Sequence, residues 1–151
     1  MTSKQRWQFC VLSCIEAASD TLEKESKQVG DATRVKLQQI AAKCDRMKAS
    51  MGPITAADSV AILDMHDRVC KALRVGDRSV KLLEWVYSSA CMAADEAARL
   101  RTIKPQLADE FVFLEGMITE VIKDYDPDFE SDEQMDLGIS LAREITCAMV
   151  C

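Results

Sequence analysis

PQLADEFVFLEGMITEVIKDYDP, from Pro105 to Pro127, is the stretch on which the fold class turns. Leu107, Phe111, Leu114, Ile118, Val121 and Tyr125 recur at steps of three and four, the spacing that lines one face of an α-helix. Pro105 suits a helical first turn, where its missing N–H removes no bond, and Pro127 stops the pattern. No alternation of apolar and polar residues competes with this reading.

The same period extends in both directions. A first helix is expected from about Ser3 to Gln28, with Trp7, Val11, Cys14, Ala18 and Leu22 on one face and Gly30 as a left-handed stop. Asp31 is expected to cap a second helix carrying Leu37, Ile40, Cys44, Met47 and Met51, which ends at Gly52-Pro53. Thr55 and Asp58 make a capping-box start for a third, with Ile62, His66, Val69 and Leu73 as its stripe. Gly76-Asp77 repeats the stop and restart before a long fourth helix with Val80, Leu83, Tyr87, Ala90, Ala94 and Ala97 on one face. Ser131 with Gln134 forms a second capping box, opening a last helix with Met135, Ile139, Ala142, Ile145 and Met149. No segment has the period-two pattern of a half-buried strand. The expected fold is all-α, a single helical domain over residues 1–151 with five or six helices in an irregular bundle or antiparallel helical array.

Composition agrees with packed helices. At 151 residues the chain is long enough to bury roughly 70% of its unfolded surface. Its hydrophobic content is 48% with only 5% aromatics, so the core is built from Ala, Leu, Ile, Val, Met and Cys. Seven cysteines, an odd number scattered along helical stripes, read as reduced thiols in a cytoplasmic protein rather than a disulfide framework. Lys4 and Arg6 before Phe9-Cys10-Val11-Leu12 loosely imitate a signal peptide. Gln8, Ser13 and Glu16 interrupt the run, and its helical spacing continues through Ala18 and Leu22, which assigns it to the first helix. No run approaches the ~18 apolar residues of a membrane-spanning helix, so no membrane partner is expected.

Charge is segregated along the chain. Residues 109–136 hold eleven acidic residues and one basic residue, Lys123, while the rest hold eighteen Lys and Arg against fourteen Asp and Glu. A local charge of −10 therefore faces +4 elsewhere, within a net −6. Such asymmetry steers a basic partner by its field. Tyr125 and Phe129 lie among Asp126, Asp128, Glu130, Asp132 and Glu133, combining aromatic anchors with carboxylates as protein interfaces do. With a pI near 4.9, direct binding to nucleic acid is not expected.

Signatures of chemistry are few. Asp124, Asp126, Asp128, Glu130 and Asp132 imitate the first half of an EF-hand loop, but the positions requiring Gly and a bidentate Glu hold Phe129 and Met135. His66, the sole histidine, is too few for a di-iron bundle or an HD-type phosphohydrolase. It lacks the Lys and Gly that follow the reactive His of phosphotransfer modules, and it reads as a packed core or interface residue. Glu115, Glu120 and Asp124, with Asp95 or Glu96, are the alternative metal set, which would chelate Mg²⁺ as all-α nucleotide pyrophosphohydrolases do. Their spacing lacks the three-residue step of those enzymes, and a solvated face is the default. Cys10/Cys14 and Cys147/Cys151 could form a Zn²⁺ site only if the first and last helices met, and core packing explains them better. Val29-Gly30-Asp31 and Val75-Gly76-Asp77 hint at a repeat of helical pairs, although capping alone accounts for each residue.

The expected function is a non-catalytic interaction protein without cofactor: an adaptor, chaperone or inhibitor presenting residues 109–136 to a basic protein surface. A phage-type inhibitor of a nucleic-acid-binding protein is one concrete version, by class analogy. The alternatives are the Mg²⁺-dependent nucleotide enzyme and a homo-oligomeric structural protein whose seam is the alanine-rich fourth helix.

Overall fold

The computed structural model describes residues 1–25, 29–77, 80–129 and 131–150, with the backbone alone over 131–139. Among these residues there are six helices and no strand: α1 (Ser3–Glu25), α2 (Asp31–Ala49), α3 (Ala56–Ala72), α4 (Leu82–Leu100), α5 (Pro105–Tyr125) and α6 (Ser131–Val150). The fold is all-α, an irregular bundle. Among the described residues only α1–α2 and α4–α5 of the consecutive pairs pack against each other, so these residues do not form a series of helical hairpins. Instead α4 lies at the centre against α1, α5 and α6, while α2 bridges α1 and α5, and α3 rests on α1 and α6.

One contiguous core draws on every helix, with Trp7, Ile40, Val69, Met92, Phe111 and Ile145 as representative buried side chains. The α5 stripe read from sequence holds: Phe111, Leu114, Ile118 and Val121 are buried, with Leu107 and Tyr125 partly so at its ends. In α4 burial extends well beyond one stripe. Ala90, Cys91, Met92, Ala93, Asp95, Glu96 and Ala97 are all buried, because small side chains let three helices close on this one. Ala90 and Ala97 of the alanine face are thus used inside the chain, while Ala94 is half-buried. No helix among the described residues is long and apolar enough to cross a membrane.

Helix ends follow local chemistry, with three corrections. The Thr55 hydroxyl accepts the Asp58 backbone N–H at 3.1 Å, and the Asp58 carboxylate accepts the Thr55 N–H at 3.2 Å, a complete capping box. Thr2 and Gln5 form another at the start of α1, at 3.1 and 2.9 Å, from a Thr-x-x-Gln signal not read above. Asp31, however, is not the cap of α2. Gly30 is, in an extended conformation (φ −64°) rather than the left-handed one expected of a helix stop.

At the end of α3 the left-handed residue is Arg74 (φ 57°), not Gly76 alone. The Arg74 N–H donates to Lys71 and the Val75 N–H to Cys70, the two bonds of a Schellman motif. Gly76 (φ 92°) belongs to the following turn, and α4 starts only at Leu82, leaving Val80 outside it. Gly30 and Gly76 therefore sit in different conformations at unlike helix boundaries, and the Val-Gly-Asp similarity is not a structural repeat. The Ser131/Gln134 box, Met135, Ile139 and the polar end of α1 at Ser26–Gln28 lie outside the described residues or side chains.

Candidate functional site

The acidic segment looks different in space than along the chain. On α5, Asp109 pairs with Arg101 at 2.6 Å and Glu110 with Lys43 at 3.4 Å. Asp124 meets Lys36 at 2.9 Å and accepts the Thr33 hydroxyl at 2.8 Å, while Glu120 stands 3.9 Å from the same lysine. The Lys36 ammonium, with the Thr33 hydroxyl, holds the Asp124 carboxyl below the usual carboxylate range. Lysines of α2 thus answer charges of α5 because those two helices pack together.

Glu115 stands apart. It lies nine residues before Asp124, about 180° around a helix of 3.6 residues per turn. Among the described residues its carboxylate has only the Thr119 hydroxyl, at 3.5 Å, and burial pushes its pKa up. The alternative Mg²⁺ set of Glu115, Glu120 and Asp124 is therefore split, with Lys36 seated between the last two. Among the described residues no three His, Cys, Asp or Glu side chains come together as a metal-sized group.

Beyond α5 the carboxylates are differently placed. Asp126 caps the helix, its N–H bonded to the Ile122 carbonyl at 2.8 Å, and its side chain accepts the Asp128 N–H at 3.1 Å. This Asx turn brings Phe129 back onto the bundle, where its ring meets Tyr87 of α4 at 5.1 Å between centroids and 56° between planes. Tyr125 is partly buried, and its hydroxyl has no hydrogen-bond partner among the described residues. The result is a groove of about 400 Å³ between this turn and the start of α4. Leu82, Leu83 and Phe129 form its apolar lining, and Glu84, Asp126 and Asp128 supply carboxylates with Lys81 the one cation among the described residues. None of those three carboxylates is in an ion pair among the described residues. Glu130 lies outside those residues, and the side chains of Asp132 and Glu133, on the first turn of α6, are likewise not described.

Asp95 and Glu96, taken above as a solvated face, are each only 4% exposed. Arg143 of α6 donates to Asp95 at 3.3 Å, and Arg99 reaches Asp95 at 3.5 Å and also pairs with Glu96. Gln8 of α1 donates to Glu96 at 3.3 Å. Burial pushes the Glu96 pKa up, against the opposing pull of Arg99. This network joins three helices at the centre of the bundle.

The remaining sequence candidates have structural surroundings. His66 is half-buried, with its Nδ1 3.8 Å from the Cys70 sulfur. Cys10 and Cys14 are buried on α1, whereas Cys147 is exposed on α6, so they do not converge even though those helices touch. Cys151 lies outside the described residues. Burial also raises the thiol pKa values of Cys44 and Cys91, to about 12 and about 11 respectively, so neither is a ready nucleophile. Comparison with protein families, characterised proteins and solved structures finds no match for this chain.

Proposed function

We propose that this chain is a non-catalytic interaction protein, an adaptor, chaperone or inhibitor, whose groove beside the α5–α6 turn receives a cationic side chain from a partner protein. The observation that carries the reading is the distribution of compensation. Asp109, Glu110, Glu120 and Asp124 are met by the chain's own Arg101, Lys43 and Lys36, whereas Glu84, Asp126 and Asp128 are left facing a groove with Leu82, Leu83 and Phe129 in its lining. A lysine or arginine fits such a place by laying its aliphatic stem on the apolar surface and its charged head among the carboxylates.

The test uses a partner retained from native lysate by immobilised protein, followed by association kinetics with that partner at two ionic strengths. Neutralising Glu84, Asp126 and Asp128 to Gln or Asn is expected to slow association at least several-fold at low salt and to flatten its salt dependence, with the unfolding midpoint little changed. An on-rate equal to that of the unaltered protein at low salt overturns the reading.

A further inference from the structure

A second cavity, of about 300 Å³, opens on the other side of the molecule between α1, the end of α4 and the end of α6. Its wall is formed by Trp7, Leu100, Ile103 and Val150, which make it the more apolar of the two hollows. Trp7 is only 1% exposed, and its indole N–H has no hydrogen-bond partner among the described residues. A buried donor left without a partner costs about 1–3 kcal/mol, so an acceptor supplied from outside finds an unmet demand here. Lys4, on the rim, has no ion pair or hydrogen bond among the described residues.

The geometry points to a binding site for a small carboxylic acid with a short aliphatic body, whose carboxylate bonds the Trp7 indole N–H and pairs with Lys4 while its chain lies against Leu100, Ile103 and Val150. Two unpartnered donors select an acceptor, and the charge on one of them selects an anion. Glu96 also reaches this wall, but its carboxylate is already met by Arg99 and by the Gln8 amide. The volume corresponds to about ten waters at the liquid's share per molecule. An acid with about ten non-hydrogen atoms fills it, at the small end of ligand cavities.

Octanoate serves as the probe, with 1-octanol and octylamine as neutral and cationic controls of the same length. A Trp85→Phe background leaves Trp7 as the only indole, since the chain has two tryptophans, and Trp85 lines a separate cleft between the end of α1, the α3–α4 connection and the start of α4. Octanoate is expected to change Trp7 emission saturably with half-saturation below about 1 mM, and both controls to bind at least tenfold more weakly. Lys4→Met, at an exposed position that leaves the core intact, should weaken octanoate about tenfold without affecting octanol. Calorimetry on Trp7→Phe, where it folds, should show a comparable loss. Absence of saturable binding overturns the assignment. So does octanol binding as tightly as octanoate, which would mark a merely apolar cavity, or preference for octylamine, which would give control of the site to Glu96.

Discussion

Replacing Phe129 by alanine tests how the groove is built. A fully buried Phe→Ala change removes ~3–5 kcal/mol, and Phe129 is only partly buried, so about half of that, ~2 kcal/mol, is expected. The ring pair with Tyr87, at 5.1 Å, accounts for ~0.5–1.5 kcal/mol of it. In a chain of this size each kcal/mol shifts Tm by roughly 2–4 °C, so the variant should melt about 4–8 °C lower. The decisive assay is a double-mutant cycle in urea with Phe129→Ala, Tyr87→Ala and the pair together. A coupling of ~0.5–1.5 kcal/mol is expected, because each single change already removes the ring contact. A coupling within ~0.3 kcal/mol of zero, with Tm unchanged, would refute the claim that Phe129 clamps the turn onto α4. The outcome also bears on partner binding. A ring committed to Tyr87 shapes the groove wall rather than reaching out as a free anchor, so its loss should disturb folding and association together.

Two further changes probe local chemistry. Thr55→Ala should cost ~1 kcal/mol in chemical denaturation by removing the acceptor for the Asp58 N–H, and a serine at this position should restore most of it, whereas equal stability of the alanine and serine variants would deny the capping box its role. Glu115→Gln should raise stability at neutral pH by roughly 0.5 kcal/mol, since Glu115 has no ion pair among the described residues and its folded pKa is raised by burial. The sign follows from proton binding: just above the unfolded pKa the folded state holds a proton that the unfolded state has released, so this residue lowers stability as pH rises through that window. The Gln variant should lose that part of the slope in a pH series of urea midpoints, and an unchanged slope would count against the burial argument.

The helices were legible where apolar spacing and punctuation agreed. In α5 the stripe from Leu107 to Tyr125 and the flanking prolines point to the same element, and the structure has it there. The Thr55–Asp58 box was equally plain because its two bonds are local. The boundaries that misled were those where glycine was read by habit. Gly30 takes an ordinary φ, and the αL position closing α3 falls on Arg74, whose identity carries no warning. Burial of Asp95 and Glu96 was hidden for another reason: it depends on α1, α5 and α6 all closing on α4, a fact of topology that no window of α4 contains. The cavity beside Trp7 joins the start of the chain, the end of α4 and the end of α6, and so had no local signature at all.

The charge pattern shows how topology alters a reading without overturning its physics. Taken along the chain, residues 109–136 form one acidic block of eleven carboxylates with a common outward field. In the bundle, contact between α2 and α5 sets Lys36 and Lys43 against Glu110, Glu120 and Asp124, and Arg101 at the end of α4 takes Asp109. Pairs at such separations are dipoles whose fields fade within a Debye length of about 8 Å at physiological salt, so they hold little beyond their own neighbourhood. On the proposed reading, steering then falls to carboxylates that no cation pairs with among the described residues. Among the described residues of the segment these are Asp126 and Asp128, with Glu84 of α4 beside them in the groove, while Glu115, also without an ion pair, is half-buried on the other side of α5. An electrostatic contribution confined to so few groups predicts a shallow salt dependence of association, much weaker than a block of net −10 would generate, and this is the feature by which kinetics can tell the folded arrangement from the linear one.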